Sequence, residues 1–156
     1  MKHFIRSSLV VGMLIGVLCS ASMAAETVKF RSAKPVWPAG RETEMNLLVG
    51  YRAVFTAPAD QKATLRIAAS TIYRFWINGE FGGFGPARGP HGYYRVDEWD
   101  LTGKLNPAEN LIAIEVAGYN VNSYYLLDQP AFLQAEVVTP DKTLASTAGD
   151  AVQFSA

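Results

Sequence analysis

Between Phe75 and Asp100 the chain reads FWINGEFGGFGPARGPHGYYRVDEWD, and most of its polar side chains are of kinds that do chemistry. Asp97 and Glu98 are the first candidates, as a general acid and base. Neighbours in a strand point to opposite faces, so these two do not form a working pair. Asp97, Glu98 and Asp100 are also oxygen ligands of the type a structural Ca²⁺ takes, but their spacing follows no regular ligand pattern, so neither a metal nor a cofactor is expected. His91 is the one histidine outside the leader described below, and no serine or cysteine nucleophile stands in a pattern with it. Gly83 and Gly85 begin like a phosphate-binding G-x-G-x-x-G, but Arg88 takes the third glycine's place and no helix follows to offer its N-terminus. Recognition is a better fit than catalysis. Tyr93, Tyr94, Trp99, Tyr119, Tyr124 and Tyr125 lie near segment ends, and Asn120 and Asn122 lie among them. Rings beside amides suit the stacking and hydrogen bonding of sugars. The same rings also suit the edges of a sandwich core, since each buries a large area.

The elements that must position these residues read as strands. Leu47, Val49, Tyr51, Ala53 and Phe55 share one face by period two, as do Ala63, Leu65, Ile67 and Ala69, and then Tyr73, Phe75 and Ile77. Asn78-Gly79 closes that last strand as a type I′ hairpin turn, and Phe81 begins the return. Residues 111–117 form a dense apolar run suited to an inner strand. Residues 132–139, 143–146 and 151–154 read as further strands, and residues 27–31 as a short first one. Thr102 is placed to cap a single helical turn before Asn106-Pro107. The glycines and prolines predict an irregular but ordered loop over 84–92. Together these signals predict an all-β fold, an antiparallel β-sandwich of jelly-roll type, with Leu65, Ile67, Tyr73, Phe75, Ile77, Ile112, Ile114 and Val116 in its core.

The first 24 residues stand apart. Lys2 and Arg6 precede the apolar run LVVGMLIGVL, and Ser22 and Ala24 occupy the small-residue positions of a cleavage site, which is the pattern of a secretory signal peptide. The expected organisation is a signal over 1–24 and one β-sandwich domain over 25–156, in a periplasmic or secreted protein. Removing Lys2 and Arg6 from 14 basic residues leaves 12 against 14 acidic ones, a net charge of −2. That balance favours neither nucleic acid nor a membrane once the signal is gone. Cys19, the only cysteine, leaves with the signal, so no disulfide is expected.

The stretches YRFWINGEFGGFGPARGPHGYYRVDEWDLT and NLIAIEVAGYNVNSYYLLDQPAFLQAEV, spanning Tyr73 to Val137, resemble the N-terminal β-sandwich (galactose-binding-like) domain of bacterial α-L-rhamnosidase-like glycoside hydrolases. The resemblance implies a non-catalytic accessory domain, because such enzymes carry their catalytic carboxylates in an (α/α)₆ barrel further along the chain. It implies a sandwich cut short at its C-terminal end and a chain that lacks its catalytic partner, so no catalytic residue is carried over. The partner it implies is that missing barrel. The alternative is a free-standing carbohydrate-binding module that takes rhamnose-containing glycans on its Tyr and Trp side chains. For either role the binding or docking residues are Arg88, His91, Tyr93, Tyr94, Asn120, Asn122, Tyr124 and Tyr125. The leader gives the first testable outcome: N-terminal sequencing of the exported protein is expected to start at Ala25 or close to it, and a cytoplasmic product that keeps Met1 overturns the assignment.

Overall fold

The computed structural model describes residues 27–58, 61–90, 92–124, 126 and 128–156. The leader therefore lies outside the described residues. Nine strands are described: β1 (Leu47–Thr56), β2 (Thr64–Ser70), β3 (Ile72–Ile77), β4 (Glu80–Gly85), β5 (Asp97–Asp100), β6 (Glu109–Gly118), β7 (Phe132–Val138), β8 (Thr143–Ser146) and β9 (Val152–Gln153). They form a four-stranded sheet in the order β1-β6-β3-β4 and a five-stranded sheet in the order β5-β2-β7-β8-β9. Every pairing is antiparallel except β8 with β9. The chain changes sheet between β1 and β2, β2 and β3, β4 and β5, β5 and β6, and β6 and β7, so the fold is the expected sandwich of jelly-roll type.

Alternation decides which side chains enter the core. In β1 the buried set is Val49, Tyr51, Ala53 and Phe55, and in β6 it is Asn110, Ile112, Ile114 and Val116. All eight expected core residues are at most 2% exposed. β6 lies between β1 and β3, as its apolar run implies, yet Leu111 on its other face is 42% exposed. The hairpin turn forms as the sequence predicts, with φ of 52° at Asn78 and 86° at Gly79, a region glycine enters without steric cost. Its position is keyed from below. Asn78 Nδ2 donates to Asn110 Oδ1 at 2.9 Å, and Asn110 Oδ1 also accepts the Asn106 N–H at 2.7 Å.

Three expectations need correction. Residues 27–31 form no strand. The N–H groups of Arg31, Ser32 and Ala33 instead donate to the carboxylate of Glu136, which is 0% exposed on β7. That buried acceptor anchors the end of the segment, and Arg66 Nη1 stands 3.5 Å from the same carboxylate. Thr102 caps no helix: Asp100 Oδ1 accepts the Thr102 N–H at 2.8 Å, closing a turn that ends before Pro107. The strand expected over 151–154 reduces to Val152–Gln153, because Phe154 turns inward and Ser155 crosses to pair with Arg52 of β1.

The two outer faces differ. Residues 31–42 run across the five-stranded sheet, where Lys34 N–H donates to Thr147 O and Val36 pairs with Leu133. On the four-stranded sheet Leu48, Val54, Ile72, Phe81, Phe84 and Leu111 stay exposed.

Tyr51 ties this packing to pH. Its side chain is 4% exposed, and its hydroxyl has no hydrogen-bond partner among the described residues. Burial pushes that hydroxyl up to about 12, against about 10 in an unfolded chain. In that window the unfolded chain has released a proton that the folded chain keeps, so stability falls as pH rises through it. Tyr51→Phe is expected to flatten this alkaline loss and to leave the Tm at pH 7 unchanged or higher, since it removes an unpaired buried hydroxyl. Thermal unfolding from pH 7 to pH 12 checks this, and a loss above about 1 kcal/mol at pH 7 would show a hydrogen bond to that hydroxyl.

Candidate functional site

One end of the sandwich is organised around Tyr73. Its hydroxyl donates to Asp97 Oδ2 at 2.6 Å and accepts the Trp99 Nε1–H at 2.9 Å. Asp97 Oδ1 in turn accepts Arg95 Nε–H at 2.7 Å. Tyr73 belongs to the four-stranded sheet, and Asp97 and Trp99 to the five-stranded one, so these bonds join the sheets. Burial, then the hydrogen bond to Asp97, drives the Tyr73 pKa far above its ordinary value, so the phenol remains a neutral donor.

The glycines of β4 make room for this cluster. A Cβ on Gly83 would lie 2.5 Å from the Trp99 ring. One on Gly85 would lie 2.5 Å from Asp97 Oδ2 and 2.7 Å from the Tyr73 hydroxyl. The run FGGFG is therefore bare because the rings of Phe75, Trp99 and Tyr73 and the Asp97 carboxylate occupy the space beside it, which removes what was left of its likeness to a phosphate loop. Asp97 and Glu98 take opposite faces as expected. Asp97 points to Tyr73, and Glu98 pairs outward with Arg66 Nε at 2.9 Å. Asp100 is held below its usual range, first by its hydrogen bond with Thr102. Among the described residues no three His, Cys, Asp or Glu side chains are grouped to hold a metal ion.

A cleft of about 410 Å³ opens next to the cluster. Its floor is the β2–β3 turn at Thr71 and Ile72. One wall is the loop that leaves β4 at Pro86 and reaches Arg95, and the other belongs to the β6–β7 loop at Tyr124, Leu126 and Gln129. The first wall is shaped by Pro90, whose carbonyl accepts the Tyr93 N–H at 3.1 Å. The second is tied back to the floor by Gln129 Nε2, which donates to Ser70 Oγ at 3.1 Å, while Leu126 and Ser123 close a turn within it.

Four of the expected site residues meet in this cleft: Arg88, Tyr93, Tyr94 and Tyr124. Tyr93 and Tyr124 are 75% and 90% exposed. Tyr94 packs its other side edge-on against Phe132, with ring centroids 4.7 Å apart. Asn120 does not belong to the site. It is 7% exposed, and its amide donates to the carbonyls of Glu42 and Glu44 at 3.1 and 2.8 Å, so its polar atoms serve the fold. Asn122 is exposed but does not line the cleft. His91 and Tyr125 lie outside the described residues. Sequence reasoning missed Arg95, Gln129 and Thr71. Arg95 carried a usable signal, since it follows Tyr93-Tyr94 directly and precedes Asp97 by two residues. Gln129 and Thr71 carried none, because only the folded chain brings their loops together.

No protein-family model matches the sequence, and no curated protein matches it. Solved structures do. The GH78 family rhamnosidase of Bacillus sp. GL1 is 31% identical over 78% of this chain, with a TM-score of 0.72, and the match spans 13% of that enzyme. The Streptomyces avermitilis α-L-rhamnosidase, solved with L-rhamnose, is 18% identical over 80% of this chain with a TM-score of 0.54, spanning 11% of its own length. The Aspergillus terreus α-L-rhamnosidase is 21% identical over 66% of this chain with a TM-score of 0.51, spanning 14% of its length. The last two share the fold. Together with the loop sequences, the first bears out the resemblance: the chain is similar to a domain-sized part of α-L-rhamnosidases, as an N-terminal domain of such an enzyme would be.

The fit of β4 against Trp99 can be tested directly. Gly83→Ala forces either the ring or the strand to move, and is expected to cost about 1–3 kcal/mol as an overpacked core position. Urea unfolding followed by tryptophan fluorescence measures it, and a change below about 0.5 kcal/mol would mean that β4 does not press on the ring.

Proposed function

We propose that this chain is a non-catalytic β-sandwich module of an exported α-L-rhamnosidase-like glycoside hydrolase and that it supports the enzyme's catalytic barrel. The observation that carries the reading is the 31% identity over 78% of this chain to an enzyme of which the chain spans only 13%. The site chemistry agrees with it. Asp97 is committed to Tyr73 and Arg95, and Glu98 points away from it to Arg66. The contact with the barrel belongs to the outer face of the four-stranded sheet, where Leu48, Ile72 and Phe84 border a groove that also holds Ala117, Tyr119 and the Arg74–Glu115 ion pair. An exposed apolar surface of this kind marks an interaction site.

A second reading, a module that binds carbohydrate itself, is supported by the cleft. Three tyrosines line a concave surface there, beside Arg88, Arg95 and Gln129. The surfaces of the two roles share Ile72 and Pro86.

Purified chain is expected to release no nitrophenol from an aryl α-L-rhamnoside above the buffer rate. Turnover that is lost on Glu98→Gln would overturn the non-catalytic reading, because Glu98 is then a working carboxylate.

A further inference from the structure

We infer that Asn78 is a site of spontaneous chemical modification that the fold keeps closed. When the β3–β4 hairpin opens, the backbone nitrogen of Gly79 displaces the Asn78 side-chain amide as ammonia. The carboxylate left behind then blocks the hairpin from re-forming. Of the six asparagines in the chain, Asn78 is the one followed by glycine. The reaction needs the next residue's nitrogen to reach the side-chain carbonyl carbon, and glycine has no side chain to obstruct that approach. A Cβ on Gly79 would meet no atom within 4 Å, and Gly79 is exposed, so packing does not shield it. In the step itself a bond forms between Gly79 N and Asn78 Cγ, and the bond from Cγ to Nδ2 breaks. The Gly79 amide proton leaves with that nitrogen as ammonia. Water then opens the cyclic imide at either carbonyl. One opening gives an aspartate, and the other gives an isoaspartate, whose main chain runs through the side chain.

Hydrogen bonding closes the site. Asn78 Nδ2 donates to Lys104 O at 3.1 Å and to Asn110 Oδ1 at 2.9 Å, which uses both of its protons. Asn78 Oδ1 accepts the Leu111 N–H at 3.0 Å. The Asn78 N–H donates to Leu111 O at 2.8 Å, so side chain and main chain both hold the start of β6. An amide bound on both its nitrogen and its oxygen is fixed in rotation. Turning it toward Gly79 N gives up these bonds, a cost met when the hairpin opens locally.

The same bonds make the product unfit for the fold. After conversion one side-chain oxygen still suits the Leu111 N–H, but the other stands where Nδ2 stood and faces Asn110 Oδ1 and Lys104 O. Both are acceptors, and a carboxylate has no proton to give them. Asn110 cannot turn round to help. It is 1% exposed, its Oδ1 also accepts the Asn106 N–H at 2.7 Å, and its Nδ2 donates to Asn106 O at 3.0 Å. A negative charge set against acceptors in a part-buried position is destabilising. Isoaspartate adds a main-chain carbon as well, in a turn that fixes the register of β3 against β4. Opening, modification and failure to close therefore run in one direction.

The test is peptide mapping by mass spectrometry, with isoaspartate resolved by chromatography, on the purified chain kept at mildly alkaline pH in buffer or in unfolding urea. Asn78 is expected to convert in urea and at least about tenfold more slowly in the native chain, where only locally opened molecules react. In urea, where folding plays no part, Gly79→Ala is expected to slow conversion severalfold, because a Cβ then stands beside the attacking nitrogen. Asn78→Asp installs the product carboxylate directly and is expected to lower the melting temperature by at least about 3 °C or to prevent folding. Equal rates in buffer and in urea overturn the closure by the fold. Absence of conversion in urea, or conversion indifferent to Gly79→Ala, overturns the site. An Asn78→Asp chain that melts with the parent overturns the block on re-forming the hairpin.

Discussion

The bond between the Tyr73 hydroxyl and Asp97 is the constraint on which this end of the molecule depends. A sandwich is held mainly by apolar contact between its sheets, which is strong but has no direction. At the end where β3 and β5 approach, that contact is supplemented by directed bonds from Tyr73 to Asp97 and from Trp99 to Tyr73. The buried Tyr73 phenol has both these partners, and each fixes a further element. Asp97 fixes Arg95 at the end of one cleft wall, and the space the cluster takes up dictates glycine at Gly83 and Gly85 of β4. The loop that leaves β4 at Pro86 thus starts from a strand whose position against the other sheet is set.

The fold was legible because its signals are local and periodic. Leu65, Ile67, Phe75, Ile77, Ile112 and Ile114 recur at every second position of their strands, and Asn78-Gly79 names its own turn. What escaped the sequence depends on residues far apart in it. The strand pattern at 27–31 was real as a preference for extended chain, but among the described residues no strand pairs with it. Glu136, more than a hundred residues away, instead takes the N–H groups of Arg31, Ser32 and Ala33. Asn120 shows the same difficulty at the site. An asparagine among tyrosines looks like a sugar-binding amide, yet the carbonyls of Glu42 and Glu44 claim it. The tyrosines of the cleft were legible because large rings near segment ends must be either buried or used. The spacing of the FGGFG glycines was visible, but the reason for Gly83, the Trp99 ring, lies on another sheet.

The polar and apolar surfaces are divided by architecture. The N-terminal segment covers part of one outer face, and the other is left to Leu48, Ile72 and Phe84. The cleft lies where the loops leave the strands, the usual place for variable function on a fixed scaffold. Ile72 and Pro86 border both the cleft and the apolar groove, so a molecule bound in one and a surface docked on the other would meet along the same ridge.

The anchoring of the N-terminal segment also sets an order on folding. Ribosomes deliver residues 31–33 early, but their acceptor, Glu136, follows 105 residues after Arg31. β1 waits in the same way for β6, and β2 for β7. No early part of the chain can therefore complete its own sheet and lock while the remainder is still being made. Pairings this distant in sequence make for slow, all-at-once folding. Throughout elongation the nascent polypeptide presents open strands with solvated backbone, a long window in which chaperones have access before the domain closes.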